Sequence, residues 1–180
     1  MPAPATIPPT RRPRWQRWLI DAVLIALVFA AVQLWQTRHV PAGPAPAFAG
    51  PLAAGGQGSL AAWRAAHPGG PVAVYFWADW CPICKAQQGS ISGLAEDWPV
   101  LTVAMQSGDA ADVAKVLAER GLAWPTVVDE DGAITARYGL AGVPALAVVG
   151  ADGQLRAVAV GYTTALGMHL RLWWAKVVTG

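Results

Sequence analysis

The sequence has 180 residues, 54% of them apolar and only 13% charged, with a formal net charge of +2. This length allows one folded domain with an appendage, and the composition excludes a mainly disordered chain, which needs low hydrophobicity and high net charge. The small charge argues against a nucleic-acid partner, and two cysteines exclude both a multi-disulfide scaffold and a four-thiolate zinc site.

The charge is unevenly placed. Residues 1–38 hold five arginines against Asp21, a balance of +4, while the remainder is acidic at −2. Residues 1–14 are rich in Pro and Arg and have no apolar period, which predicts a tail. From Trp15 to Trp35 the chain is almost wholly apolar. As a helix this stretch is roughly 31 Å long, about one hydrocarbon core. Trp15, Trp18 and Trp35 fall where aromatic belts sit, and the arginines before or just inside the run place the N-terminus in the cytoplasm and the body outside. Asp21 lies one turn after Arg17 and can pair with it. A cleaved signal peptide is the rival reading. Its first small-x-small site, Ala45-Pro46-Ala47, lies well beyond the run and contains proline. Residues 36–58 then read as a Pro/Ala/Gly linker holding the body off the membrane.

The body, residues 59–180, reads as α/β. Ser59 caps a short helix over 60–66. Val72–Ala78 is a continuous apolar run, as in a central strand covered on both faces. A helix is expected over about 81–97 and a strand over 100–105. Asp109 caps a helix over 110–120 with Val113, Val116 and Leu117 inward. A short strand over 126–128 is stopped by Asp129-Glu130-Asp131-Gly132, and a short helical connection follows. Strands over 145–149 and 155–160 flank Gly150-Ala151-Asp152-Gly153, a hairpin signal. The last helix begins near Thr163 or Thr164 and places Leu166, Leu170, Trp173 and Val177 on one side. Alternating βα units followed by a hairpin predict a mixed sheet with helices on both faces.

Both cysteines lie in Trp80-Cys81-Pro82-Ile83-Cys84, directly after an apolar strand and at the start of a helix. A thiolate at Cys81 is favoured by the exposed N–H groups and positive dipole of a helix N-terminus. Pro82 suits the first turn, where no N–H is needed. Cys84 lies one turn on, within disulfide reach. The chemistry expected is exchange: Cys81 attacks a disulfide, a mixed disulfide forms, and Cys84 resolves it. An inert bridge would close almost no loop and add little stability. Two thiolates are half a zinc site, with His39, His67 and His169 far off in sequence, but Cu(I) accepts two thiolates and stays open. No resident metal or cofactor is expected.

Phe76-Trp77-Ala78-Asp79-Trp80-Cys81-Pro82-Ile83-Cys84-Lys85 resembles the active-site segment of the thioredoxin superfamily. Gly142-Val143-Pro144 resembles its cis-proline loop. Asp129–Gly132, Tyr138-Gly139 and Ala151-Asp152-Gly153 resemble the membrane-anchored TlpA/DsbE-like branch. Within that branch, the CPxC pair with Gln88–Ile91 and Val103–Gly108 is similar to the suppressor of copper sensitivity D (ScsD) proteins. The resemblance implies a thioredoxin-like fold and protein disulfide oxidoreductase activity in the periplasm. It makes Cys81 the exposed nucleophile and Cys84 the buried resolving thiol. It implies a cis Pro144, a Val143 backbone that pairs with an extended client segment, and a substrate-binding rim of Trp80, Pro82 and Ile83. It also implies client proteins bearing disulfides or dithiols, and a membrane electron donor of the DsbD or ScsB type.

Two positions depart from the family pattern. Tyr75 stands where many thioredoxins bury an Asp that assists proton transfer, and Gln87 stands where TlpA-like reductases often carry Glu. No carboxylate is evident to take the Cys84 proton. Ile83 offers Cys81 no hydrogen-bond donor, which points to a reductase rather than a strong oxidant. Three other readings stay open: a thiol oxidant, a Cu(I)-binding module for copper tolerance, and a cytochrome c maturation factor that holds its client in the groove.

Overall fold

The computed structural model describes residues 14–179. The expected tail, with Arg11 and Arg12, lies outside them except for Arg14. The chain divides into two compact units, Met1–Trp35 and Gln36–Gly180.

Among the described residues, the first unit consists of α1 (Arg14–Thr37) up to Trp35. Its stretch Trp15–Thr37 has a mean hydropathy of 2.1 and is long and apolar enough to cross a membrane. Leu19, Ile20, Val23, Leu24, Leu27 and Val28 are all exposed. A helix apolar on all sides has no polar face to turn to water.

The second unit begins with a small hairpin, β1 (Ala49–Pro51) and β2 (Gln57–Ser59). It continues through α2 (Leu60–Ala66), β3 (Val72–Trp77), α3 (Pro82–Asp97), β4 (Val100–Met105) and α4 (Ala110–Glu119). Then come β5 (Thr126–Asp129), α5 (Ala133–Arg137), β6 (Ala145–Val149), β7 (Leu155–Val160) and α6 (Ala165–Thr179). The main sheet has the order β5-β4-β3-β6-β7. β3 pairs in parallel with β4, as β4 does with β5, whereas β6 runs antiparallel to β3 and β7. The expected mixed sheet is therefore present, with β3 at its centre.

Alternation along β3 builds two cores. Ala73, Tyr75 and Trp77 join Ile91 and Leu94 of α3, Val113 and Leu117 of α4, and Met168, Leu172 and Ala175 of α6. Val72, Val74 and Phe76 join Leu60 of α2, Ile134 of α5, Tyr138 and Phe48. Burial on both faces explains why the β3 run is apolar without alternation. The caps follow sequence chemistry. The Ala62 N–H donates to Ser59 Oγ at 3.0 Å, and Asp109 and Asp112 form a reciprocal capping box at α4.

Two local expectations are corrected, and the orientation of α6, which the sequence left open, is decided. The linker read over residues 36–58 is in large part packed on the body. Phe48 is 4% exposed and meets Tyr138 edge-on at 6.0 Å. The Leu155 N–H donates to the Gly43 carbonyl at 2.8 Å, and the Ala45 N–H to the Gly153 carbonyl at 2.9 Å. Gly139, at φ +67°, lies under the His39 carbonyl, where any Cβ would collide with backbone. Isolated anchors among Pro, Ala and Gly carry no periodicity, so sequence pattern missed them. Asp129 does not simply stop a strand. It is buried at the end of β5, and its carboxylate accepts the N–H groups of Ile134 and Thr135 and the Thr135 hydroxyl at 2.7–2.9 Å. On α6, the side bearing Leu166, Leu170, Trp173 and Val177 faces outward, and Met168, Leu172 and Ala175 fill the core.

Candidate active site

The Cys81–Cys84 turn sits where β3 ends and α3 begins. Cys81 is the N-cap of α3 and Pro82 its first residue, so the proline removes no hydrogen bond that the helix needs. The Cys84 N–H donates to Cys81 Sγ at 3.2 Å. This is the contact by which a helix N-terminus stabilises charge on a capping atom.

The two cysteines are free thiols. Cys84 is 1% exposed and, against the expectation of an open nucleophile, Cys81 is only 3% exposed. Cys81 is covered because the 142–144 loop folds over it, and its thiol donates to the Val143 carbonyl at 3.7 Å. The Val143–Pro144 bond is cis, as the resemblance implies. Thus residues 62 positions apart meet at one sulfur. Pro144 is buried, Val143 half-buried, and Pro82 and Ile83 exposed.

Trp80 is 57% exposed but firmly placed. Its indole N–H donates to the Gln106 carbonyl at 3.0 Å, and its backbone N–H to Asp79 Oδ1 at 2.8 Å. Gln106 holds that carbonyl with φ +46°. Arg120 donates to the Asp79 carbonyl at 2.9 Å, and the Asp79 N–H donates to Ser107 Oγ at 3.0 Å. Asp79 is therefore a strut of the rim as well as a surface charge. Gln106 and Ser107 fall in the Val103–Gly108 segment of the resemblance, which gave them no role, and Arg120 carries no motif; the fold brings all three beside the active-site turn.

Burial pushes the Cys84 thiol up to about 12, and its hydrogen bond and charge interaction with Cys81 push the same way. The Ala78 backbone and the Tyr75 hydroxyl pull it back down. Tyr75 itself is raised, chiefly by burial and then by the two cysteines. Its hydroxyl stands next to Cys84 without a well-formed hydrogen bond to any group. Gln87, one turn below Cys84, is also buried. Its Nε2 donates to the Thr163 carbonyl at 3.1 Å, and its Oε1 has no protein partner. The polar side chains reaching this buried region are thus a phenol and an amide, at the two positions that depart from the family pattern. Among the described residues, no three or more His, Cys, Asp or Glu side chains converge as metal ligands.

Chemically, the arrangement offers two thiols one helical turn apart. Cys81 lies against the backbone carbonyl of Val143, and burial favours the protonated form of Cys84. That suits two-step exchange with a polypeptide laid across the rim.

Comparison with known proteins agrees with this chemistry. The Redoxin family model matches residues 41–166. The chain is 30% identical over 121 residues to a thioredoxin-like protein of Haemophilus influenzae, covering 67% of this chain and 72% of that protein. It is also 30% identical over 156 residues to the thiol:disulfide interchange protein DsbE of Pseudomonas fluorescens biotype C, covering 81% and 86%. In fold it is similar to a secreted Mycobacterium tuberculosis disulfide oxidoreductase homologous to E. coli DsbE. That match has a TM-score of 0.59 at 24% identity and covers 71% of this chain and 95% of that one.

Proposed function

The chain belongs to the Redoxin family and is a thiol:disulfide oxidoreductase of the thioredoxin and DsbE type, and from that premise we propose that it is a membrane-anchored periplasmic reductase of client protein disulfides. The Cys81 thiolate attacks one sulfur of the client disulfide. A Cys81–client mixed disulfide forms, and the first client thiolate leaves. Cys84 gives up its proton and attacks Cys81 Sγ, forming the Cys81–Cys84 disulfide and releasing the second client thiol. Two electrons pass to the client. Trp80, Pro82, Ile83, Val143 and Pro144 form the client-binding rim, with the Val143 backbone pairing to an extended segment. A membrane donor of the DsbD or ScsB type returns the two electrons.

The observation that carries the division of labour is the contrast within the pair. Cys81 receives a helix N-terminal N–H, whereas Cys84 lies one turn deeper with its thiol pushed up to about 12. The reducing direction is supported by Ile83, an apolar neighbour with no donor for the Cys81 sulfur. Anchoring is supported by Trp15–Thr37, and a periplasmic body is supported by the arginine excess before it. We assign residues 1–14 to a cytoplasmic tail and 15–35 to the span.

The test is the reduction potential of the full chain in detergent, equilibrated against glutathione or dithiothreitol. A value below about −200 mV is expected; one near −120 mV would make the protein a thiol oxidant. Failure to exchange with either couple, together with tight Cu(I) binding, would replace the redox reading with a copper module. Full client binding by Cys81→Ser would favour a holding role, as in cytochrome c maturation.

A further inference from the structure

The second unit shows large exposed apolar side chains at Trp80 and Ile83 on the rim, at Tyr162, and as a group on α6. On α6 they are Leu166, Leu170, Trp173, Trp174, Val177 and Val178, recurring at steps that put them on one side of the helix. Trp173 and Trp174 are 59% and 49% exposed. The opposite side, Met168, Leu172 and Ala175, is in the core, so the stripe is not needed to hold the helix to the sheet. A continuous exposed stripe of this kind marks an interaction surface.

Its borders indicate the occupant. At 3.6 residues per turn, His169 and Lys176 fall along one edge of the stripe and Arg171 along the other. The α6 sequence contains no acid. Asp97 of α3 lies 3.1 Å from His169, and the fixed charges that α6 itself carries along these edges are Arg171 and Lys176. A stripe of Leu, Val and paired Trp bordered by cations is the pattern of a helix lying in a membrane interface. There, tryptophans sit at headgroup depth and long cations reach anionic headgroups. A second copy would bring the same cations against these borders, with no acid on the helix to meet them.

We propose that α6 docks this protein on an anionic phospholipid surface, with Trp173 and Trp174 in the headgroup layer and Arg171 and Lys176 on lipid phosphates. The proposal deepens the membrane-anchored reading and rests on it, because a chain held by its own span meets that surface at high effective concentration. Docking would set the orientation of the exchange site, since the α6 core residue Met168 packs in the same cluster as Cys81 and Cys84.

The test is hydroxyl-radical footprinting of the full chain in phosphatidylcholine vesicles with and without phosphatidylglycerol, read by mass spectrometry. Alkaline carbonate extraction is run on the same vesicles. Labelling of Trp173 and Trp174, normalised to Trp80, should fall several-fold when phosphatidylglycerol is present. The protection should vanish in the double variant Arg171→Glu, Lys176→Glu. Labelling that stays equal in both lipids overturns the docking. So does protection that ignores lipid charge but grows with the protein-to-lipid ratio, which assigns the stripe to a second copy. Release by carbonate overturns the anchoring reading separately, whatever the footprint shows.

Discussion

Cys84 and Tyr75 show how one buried pair sets a pH dependence. Cys84 is raised mainly by burial, which persists once Cys81 is tied up in a mixed disulfide. Its thiolate fraction at neutral pH is therefore small and grows about tenfold per pH unit below its pKa. Release of a model thiol from a Cys81 mixed disulfide, followed by stopped flow, should rise with that slope from neutral into alkaline solution. Tyr75 lowers the Cys84 thiol. Tyr75→Phe should move the release profile to higher pH and slow release at each pH, while the initial attack by Cys81 is unchanged. An unmoved profile would reduce Tyr75 to a space-filling residue against Trp124, whose ring it meets edge-on at 5.9 Å. The CPxC motif and the two departures at Tyr75 and Gln87 are legible in the sequence. What they meet is not, because the Val143 carbonyl and the Thr163 carbonyl come from loops far along the chain.

At the scale of elements, period and capping chemistry place most helices and strands to within a residue or two. The α3 start is an example, with a thiol as cap and proline behind it. Asp129 is the instructive exception. In the sequence it belongs to a polar stop, but in the fold three donors from the start of α5 converge on its buried carboxylate. Charge-assisted bonds of this kind contribute about 1.5–3 kcal/mol each. Asp129→Ala should therefore destabilise the protein by at least about 2 kcal/mol in urea unfolding, because it leaves two buried N–H groups without a partner. A loss no larger than that of a surface substitution would show that α5 holds its position by packing alone. α6 carries the opposite lesson. It is apolar on two sides, so its sequence has no polar face to say which side turns inward. The buried side is chosen by fit against α3 and the sheet.

At the scale of the whole molecule, the segment entering the body is part of the fold. Phe48 closes the core on the face of Val74, Phe76 and Tyr138. Phe48→Ala should cost about 3–5 kcal/mol, as other Phe truncations in cores do. A free linker would lose nothing. Chemical denaturation of the full chain in detergent, read by near-ultraviolet circular dichroism, separates the two outcomes. The same packing means that a truncated body should begin near Gln36, where the second unit begins, rather than at residue 59.

Local chemistry was enough to determine an apolar stretch near the N-terminus, a βα-rich body and a dithiol at a helix start, and the family resemblance implied a cis-proline loop at residues 142–144. Each of these is written in neighbouring residues, as a run, a period, a cap or a short motif. Tertiary structure alone decided that Val143 lies over Cys81, that Gln106, Ser107 and Arg120 hold the rim, that Phe48 belongs to the core, and that the tryptophans of α6 face out. These are contacts between residues distant in sequence. Their partners are selected by the register of the sheet and the shape of the core, which no local pattern encodes.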